Sequence, residues 1–261
     1  MAPARPRGGS VIPLRVALTV AFVACWDAWR LLLVRIDDPT TALLLVPGVA
    51  LIGWRLIAAE GAVRALPVAA GLVAYAIFCI TGPALLQIGV ASGVVVCLAI
   101  ARLNVPKLPL AGLAALLLPI LPTLDFLLAY PLRRLSAIIT VALLRMNGIP
   151  VSLDGIALEW RGQQLLFDGP CSGVRMLWAS LVLASLIAIA RQMGALGYTR
   201  TLTLAVGVAV FGNALRAASL FYVENGFVTG FGGPVAHEAV GLLAFAMIAA
   251  AMLVTTRKAM A

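Results

Sequence analysis

The sequence predicts an all-α polytopic membrane protein, with about eight transmembrane helices and a small extracytoplasmic insertion ahead of the sixth. Three observations carry this expectation. Of 261 residues, 63% are hydrophobic and 11% charged, with a mean hydropathy of +1.08, whereas a soluble domain is about half apolar and a quarter charged. The apolar residues come in runs of the ~20 that a helix needs to cross the hydrocarbon core. The nineteen basic residues are scattered between those runs, as in loops that face an anionic leaflet. A net charge of +9 dispersed in this way does not point to a nucleic-acid partner.

The runs fall at about 12–34, 40–58, 65–83, 84–101, 108–130, 171–190, 200–220 and 236–256. The third and fourth meet in a tight turn at Gly82-Pro83. The fifth carries Pro109, Pro119 and Pro122, so it is expected to kink or break. Arg5 and Arg7 ahead of the first run resemble the start of a signal peptide. That run continues to Trp29 and ends in charge with no small-residue cleavage site, so it reads as the first span. With the N-terminus inside, the cytoplasmic side receives Arg5, Arg7, Arg15, Arg55, Arg64, Arg102, Lys107, Arg191, Arg200, Arg257 and Lys258, 11 of the 19 basic residues. The bias places both termini on the cytoplasmic side of a cytoplasmic (inner) membrane.

One segment breaks the apolar pattern and divides the chain into residues 1–130 (helices one to five), 131–170, and 171–261 (helices six to eight). In 131–170, Leu132, Leu135, Ile138, Ile139, Ala142 and Leu143 recur at helical spacing among Arg133, Arg134 and Arg145, which predicts an amphipathic helix lying in the interface. From Val151 to Phe167, short apolar runs are punctuated by Asp154-Gly155 and Arg161-Gly162, which predicts a β-hairpin or a three-strand meander. The orientation above puts this insertion outside.

Three polar spots stand at the outer ends of the last three spans. They are Asp168-Gly-Pro-Cys171-Ser-Gly-Val-Arg175, Asn213-Ala-Leu-Arg216, and His237-Glu238. Each has a plain structural reading. A cysteine at a helix start is more often structural than reactive, Arg216 can be an interfacial anchor, Asn213 an interhelical hydrogen-bonding residue, and a lone interfacial histidine a packed one. Their convergence on one face favours chemistry instead. Cys171 opens a helix, whose dipole favours the thiolate, and Arg175 lies one turn along on the same face. Cys25, Cys79 and Cys97 sit inside apolar runs as small hydrophobes. Asp27 and Asp125 read as a belt residue and as a supporting or water-facing carboxylate. No CxxC pair, no phosphate-binding glycine loop and a single histidine leave no metal and no other cofactor to expect.

Cys171-Ser-Gly-Val-Arg175, Asn213-Ala-Leu-Arg216 and His237-Glu-Ala-Val-Gly241, in that order, resemble the exosortase/archaeosortase family of multi-spanning membrane cysteine transpeptidases. The resemblance covers about residues 131–254. The first four spans match only in being apolar, and the chain lacks a large additional soluble domain. The resemblance implies Cys171 as nucleophile, Arg216 as transition-state stabiliser and His237 as proton-transfer residue, with Arg175 and Asn213 in support. It also implies membrane-anchored substrate proteins whose C-terminal sorting tail is cleaved, with transfer to an acceptor amine on a lipid or glycan. The residues agree, because amide cleavage by a thiol needs a thiolate, an acid for the leaving amine and stabilisation of the oxyanion.

Two other classes share these features. A membrane cysteine protease without ligation would carry the same site, and only the product separates the two. A transporter lined by Arg216, His237 and Asp125 would make Cys171 dispensable and would spread ionisable groups across the membrane depth, which the clustering disfavours. A membrane-impermeant thiol reagent is expected to label Cys171 from outside intact cells at a pH well below the ordinary thiol pKa of about 8.5. Cys25, Cys79 and Cys97 should stay largely unlabelled. Labelling of Cys171 from the cytoplasm alone would invert the topology.

Overall fold

The computed structural model describes residues 10–34, 50, 52–166, 173–228 and 233–258. The chain divides into two compact units, Met1–Pro119 with Ile189–Gly194, and Ile120–Ala188 with Ala195–Ala261.

In the first unit a short strand, β1 (Val11–Pro13), runs straight into helix α1 (Leu14–Ala24), which is followed by α2 (Trp26–Val34). The two helices are bent by 62° at Cys25. A break exposes the first N–H groups of the second helix, and the Tyr75 hydroxyl accepts that of Ala28 at 3.3 Å. Helical residues 52–58 (α3) precede β2 (Ala62–Arg64), which pairs antiparallel with β1 in the register Val11↔Arg64. The ribbon was not anticipated from the sequence. The chain enters β2 through Gly61, where φ is +116° and the Arg102 guanidinium occupies the space of a side chain, so both conformation and contact demand glycine. α4 (Ala65–Thr81), α5 (Ala84–Arg102) and α6 (Lys107–Leu117) follow. The tight turn expected at Gly82-Pro83 is present. Gln87 Nε2 donates there to the carbonyls of Phe78 (3.2 Å) and Gly82 (3.3 Å) at the end of α4. Leu14, Ala17 and Ala21 of α1 bury against Val63, Val68, Val94 and Leu98.

The second unit begins with α7 (Leu121–Met146). The fifth expected span, 108–130, is therefore split, and the helix expected to lie in the interface is the second half of α7. The reason lies in the prolines. Pro119 sits between α6 and α7, and Pro122 occupies the first turn of α7, where its missing N–H costs nothing. Pro131 lies inside α7, and the helix continues through it. Arg133 and Arg134, expected at the head groups, are thus near the middle of a 26-residue helix.

α7 ends at Asn147–Gly148, with Gly148 at φ +78° and Ile149 N donating back to Leu144 O at 3.1 Å, a left-handed helix stop. The meander follows as β3 (Ser152–Asp154), β4 (Ala157–Trp160) and β5 (Gln163–Leu166), antiparallel in that order. Both turns are two-residue loops. Arg161 (φ 52°) and Gly162 (φ 78°) close β4 to β5, and Gly155 (φ 61°) opens the other. Positive φ matches the twist that tight hairpins need. Ile149, Val151, Leu158 and Trp160 pack with Ala137, Val141 and Leu144 of α7 and with Ala218 and Phe221 of the next long helix.

Three helices complete the unit, α8 (Val174–Ala190), α9 (Ala195–Glu224) and α10 (Gly233–Lys258). α9 packs between α7 and α10. It runs parallel to α7, since Thr140 Oγ1 lies 3.1 Å from Ala214 O and Leu144 shares a cluster with Phe221. Against α10 it runs antiparallel, since Gly212 meets Ile248 and Arg216 meets Gly241.

Among the described residues, α5, α7, α9 and α10 are long and apolar enough to cross a membrane, and the bent α1–α2 pair makes up to five. The described residues do not establish eight. α4 and α8 have 17 residues and α6 has 11, so the longer two rise about 26 Å against a core of about 30 Å. Most of the expected span 40–58 lies outside the described residues.

A Cβ added at Gly212 would fall 2.5 Å from Ile248 Cδ1. Gly212→Ala is therefore expected to destabilise the protein by about 1 kcal/mol through overpacking, read as a lower midpoint of thermal unfolding in detergent. In an Ile248→Val background, which lacks that Cδ1, the same Gly212→Ala change should cost less than in the wild type, and an unchanged midpoint in Gly212→Ala alone would deny the close contact.

Candidate active site

Cys171 lies outside the described residues, with its neighbours Asp168, Gly169, Pro170 and Ser172. The description resumes at Gly173, the third residue of the CSG string. Gly173 has φ +77°, and a Cβ there would sit 2.9 Å from Asn213 Nδ2 and 3.0 Å from Asn213 Cγ. Two independent constraints thus select glycine, a left-handed backbone and the side chain pressed against it. The motif residue Asn213 and the motif residue Gly173 are direct neighbours.

Asn213 is 2% exposed. Its Nδ2 donates to Ser136 Oγ of α7 at 3.0 Å. Ser136 is also buried, and Thr140 Oγ1 lies 2.8 Å from the Ser136 carbonyl. A buried amide costs about 1–3 kcal/mol if left unsatisfied, so this bond fixes which face of α9 turns toward α7. Ser136 and Thr140 were not singled out from the sequence. Their spacing of four on the packed face of a proline-bearing helix was the available signal.

Arg216 lies one turn beyond Asn213 on α9 and is half-buried. Its Nε would stand 3.2 Å from a Cβ at Gly241 of α10, with the guanidinium carbon at 3.7 Å. The glycine of the HxxxG string therefore makes room for the arginine of the NxxR string. His237 precedes Gly241 by four residues, so the two share a face of α10. His237 Nδ1 approaches Glu224 Oε1, at the end of α9, to 3.8 Å, with side-chain exposures of 36% and 52%. No role for Glu224 was expected from the sequence. Its proximity to His237 follows from the antiparallel packing of α9 on α10, which no local pattern encodes.

Arg175 is the second residue of α8 and is exposed, as is Glu238 beside His237. Asp125 lies in the first turns of α7. It stands 11 residues, or about 16 Å of rise, before Ser136. It is thus far along the helix from the Asn213 layer rather than beside it, which speaks against the supporting one of its two expected readings. The elements therefore bring Gly173, Asn213, Arg216, Glu224 and His237 to the end of the second unit that also carries the meander.

The family described as Transmembrane exosortase (Exosortase_EpsH) matches residues 11–254, nearly the whole chain. The match extends well beyond the segment from Pro131 to Val254 that carries the motifs. No curated protein and no solved structure matches. The chain belongs to the transmembrane exosortase family, whose members are membrane cysteine transpeptidases.

Proposed function

We propose that the protein cleaves the C-terminal sorting tail of membrane-anchored exported proteins at the extracytoplasmic face, and transfers the released carboxyl end to an acceptor amine through a thioester on Cys171. The observation that carries this reading is the junction of the three family strings at one end of one bundle: Gly173 on Asn213, and Arg216 against Gly241 one turn from His237.

The chemistry runs in two halves. The Cys171 thiolate attacks the scissile carbonyl carbon and forms a C–S bond, and the carbonyl oxygen takes the negative charge. Arg216 stabilises that oxyanion. His237, protonated, gives its proton to the leaving amine as the C–N bond breaks and the thioester forms. An incoming amine then attacks the thioester, His237 takes its proton, and the C–S bond breaks to restore the thiolate. Arg175 adds positive charge near the thiolate, and Asn213 supports the turn that follows Cys171. Access of amine in preference to water decides between transfer and hydrolysis.

Co-expression with a reporter bearing a sorting tail tests this. Cys171→Ala is expected to abolish processing, and Arg216→Lys to slow it about 10²–10³-fold, the usual effect of losing an oxyanion donor. Gly241→Val should approach the Arg216 variant, because its side chain takes the guanidinium's space. Mass spectrometry of the product made with an added soluble amine should show the amine adduct. Hydrolysed product alone would leave a protease, and full processing by Cys171→Ala would remove the thiol mechanism.

A further inference from the structure

We infer that Glu224 is a positioning residue for His237, orienting its ring and selecting the tautomer that turns Nε2 toward the reacting groups. The inference rests on the proposed role of His237 in proton transfer.

The carboxylate Oε1 stands 3.8 Å from Nδ1, the nearer ring nitrogen. That is an ion-pair distance, longer than a hydrogen bond, and such contacts are often loose before substrate binds and tighten afterwards. Both side chains keep solvent exposure, so closing the gap needs only rotamer adjustment. When Nδ1–H donates to the carboxylate, the lone pair is left on Nε2. A base needs that arrangement to exchange protons with a thiol or an amine, and a ring in the other tautomer presents the wrong nitrogen.

The neighbours make Glu224 the suited partner. Arg216, on the same helix, lies against Gly241 one turn beyond His237 and, as a cation, cannot accept from Nδ1–H. Glu238 is adjacent in sequence and exposed, and adjacent residues do not face each other on a helix. Glu224 comes from another element, the last residue of α9, so its approach is set by the α9–α10 packing that also places Arg216.

The chain has one histidine, so ¹⁵N NMR of histidine-labelled protein in detergent, carrying an affinity tag without histidine, reports His237 alone. In the wild type at alkaline pH, the Nδ1-protonated tautomer is expected to dominate. Glu224→Ala should shift the population toward the Nε2-protonated form and lower kcat about 2- to 5-fold with KM unchanged, the scale of a partly exposed pair. Glu224→Asp should retain part of both effects, and Glu238→Ala should leave both at wild-type values. Glu224→Leu, similar in volume and unable to accept a hydrogen bond, covers the case in which Glu224→Ala does not fold. An unmoved tautomer or an unmoved kcat in the Glu224 variants overturns the inference. If His237→Ala processes substrate at the wild-type rate, it is the underlying role of His237 that fails, whatever Glu224 does.

Discussion

A polar side chain inside an apolar helix bundle must find a partner there, and the amide of Asn213 is where the second unit meets that constraint. Its bond to Ser136 Oγ ties α9 to α7, and the same amide lies against Gly173. Rotating α9 by one residue would break the first contact and lift the second. Arg216, one turn on, and Glu224, two turns further, are carried by the same rotation. One hydrogen bond therefore sets the direction in which three polar side chains of α9 leave the helix, and apolar packing alone would not select that angle so sharply.

Glycine supplies the complementary half of this geometry. Gly173, Gly212 and Gly241 each receive a side chain of another helix, Asn213, Ile248 and Arg216 respectively. In lipid, helices associate without a hydrophobic force between them, and close approach over small residues gives the contact. Here two of the three close approaches involve polar groups of the candidate site. Packing and site geometry are thus one set of contacts, which ties the spacing within each motif to how the helices meet.

Legibility followed the range of the interactions. The meander could be read because a hairpin turn is a local matter. Gly155, Arg161 and Gly162 stand where positive φ is needed, and strands flank them on both sides. The Gly82-Pro83 turn was equally plain. The expectation of eight spans rests on apolarity, which does not register continuity. It ran across the break at Pro119, accepted Pro131 as a boundary, and credited α4 and α8 with more length than their 17 residues. The motifs located Asn213, Arg216 and His237 at one end of the bundle. Ser136 and Glu224 stayed hidden because each matters only through its packing on another helix, 77 residues away for Ser136.

The length of α9 connects the fold to the chemistry. Its 30 residues rise about 45 Å, some 15 Å more than the hydrocarbon core. Its charged residues are Arg200 near one end and Arg216 and Glu224 near the other, with fifteen uncharged residues between the two arginines. Such a helix settles with the uncharged stretch in lipid and both charged ends in the polar layers, since a charge at mid-membrane costs several kcal/mol. The Arg216 end, where His237 and the meander also gather, then lies where a guanidinium is partly desolvated yet still neutralised. Under the proposed mechanism, a guanidinium there would exert a stronger field on an adjacent oxyanion than it would in water. On a soluble domain the same side chain would be more fully hydrated and its field weaker.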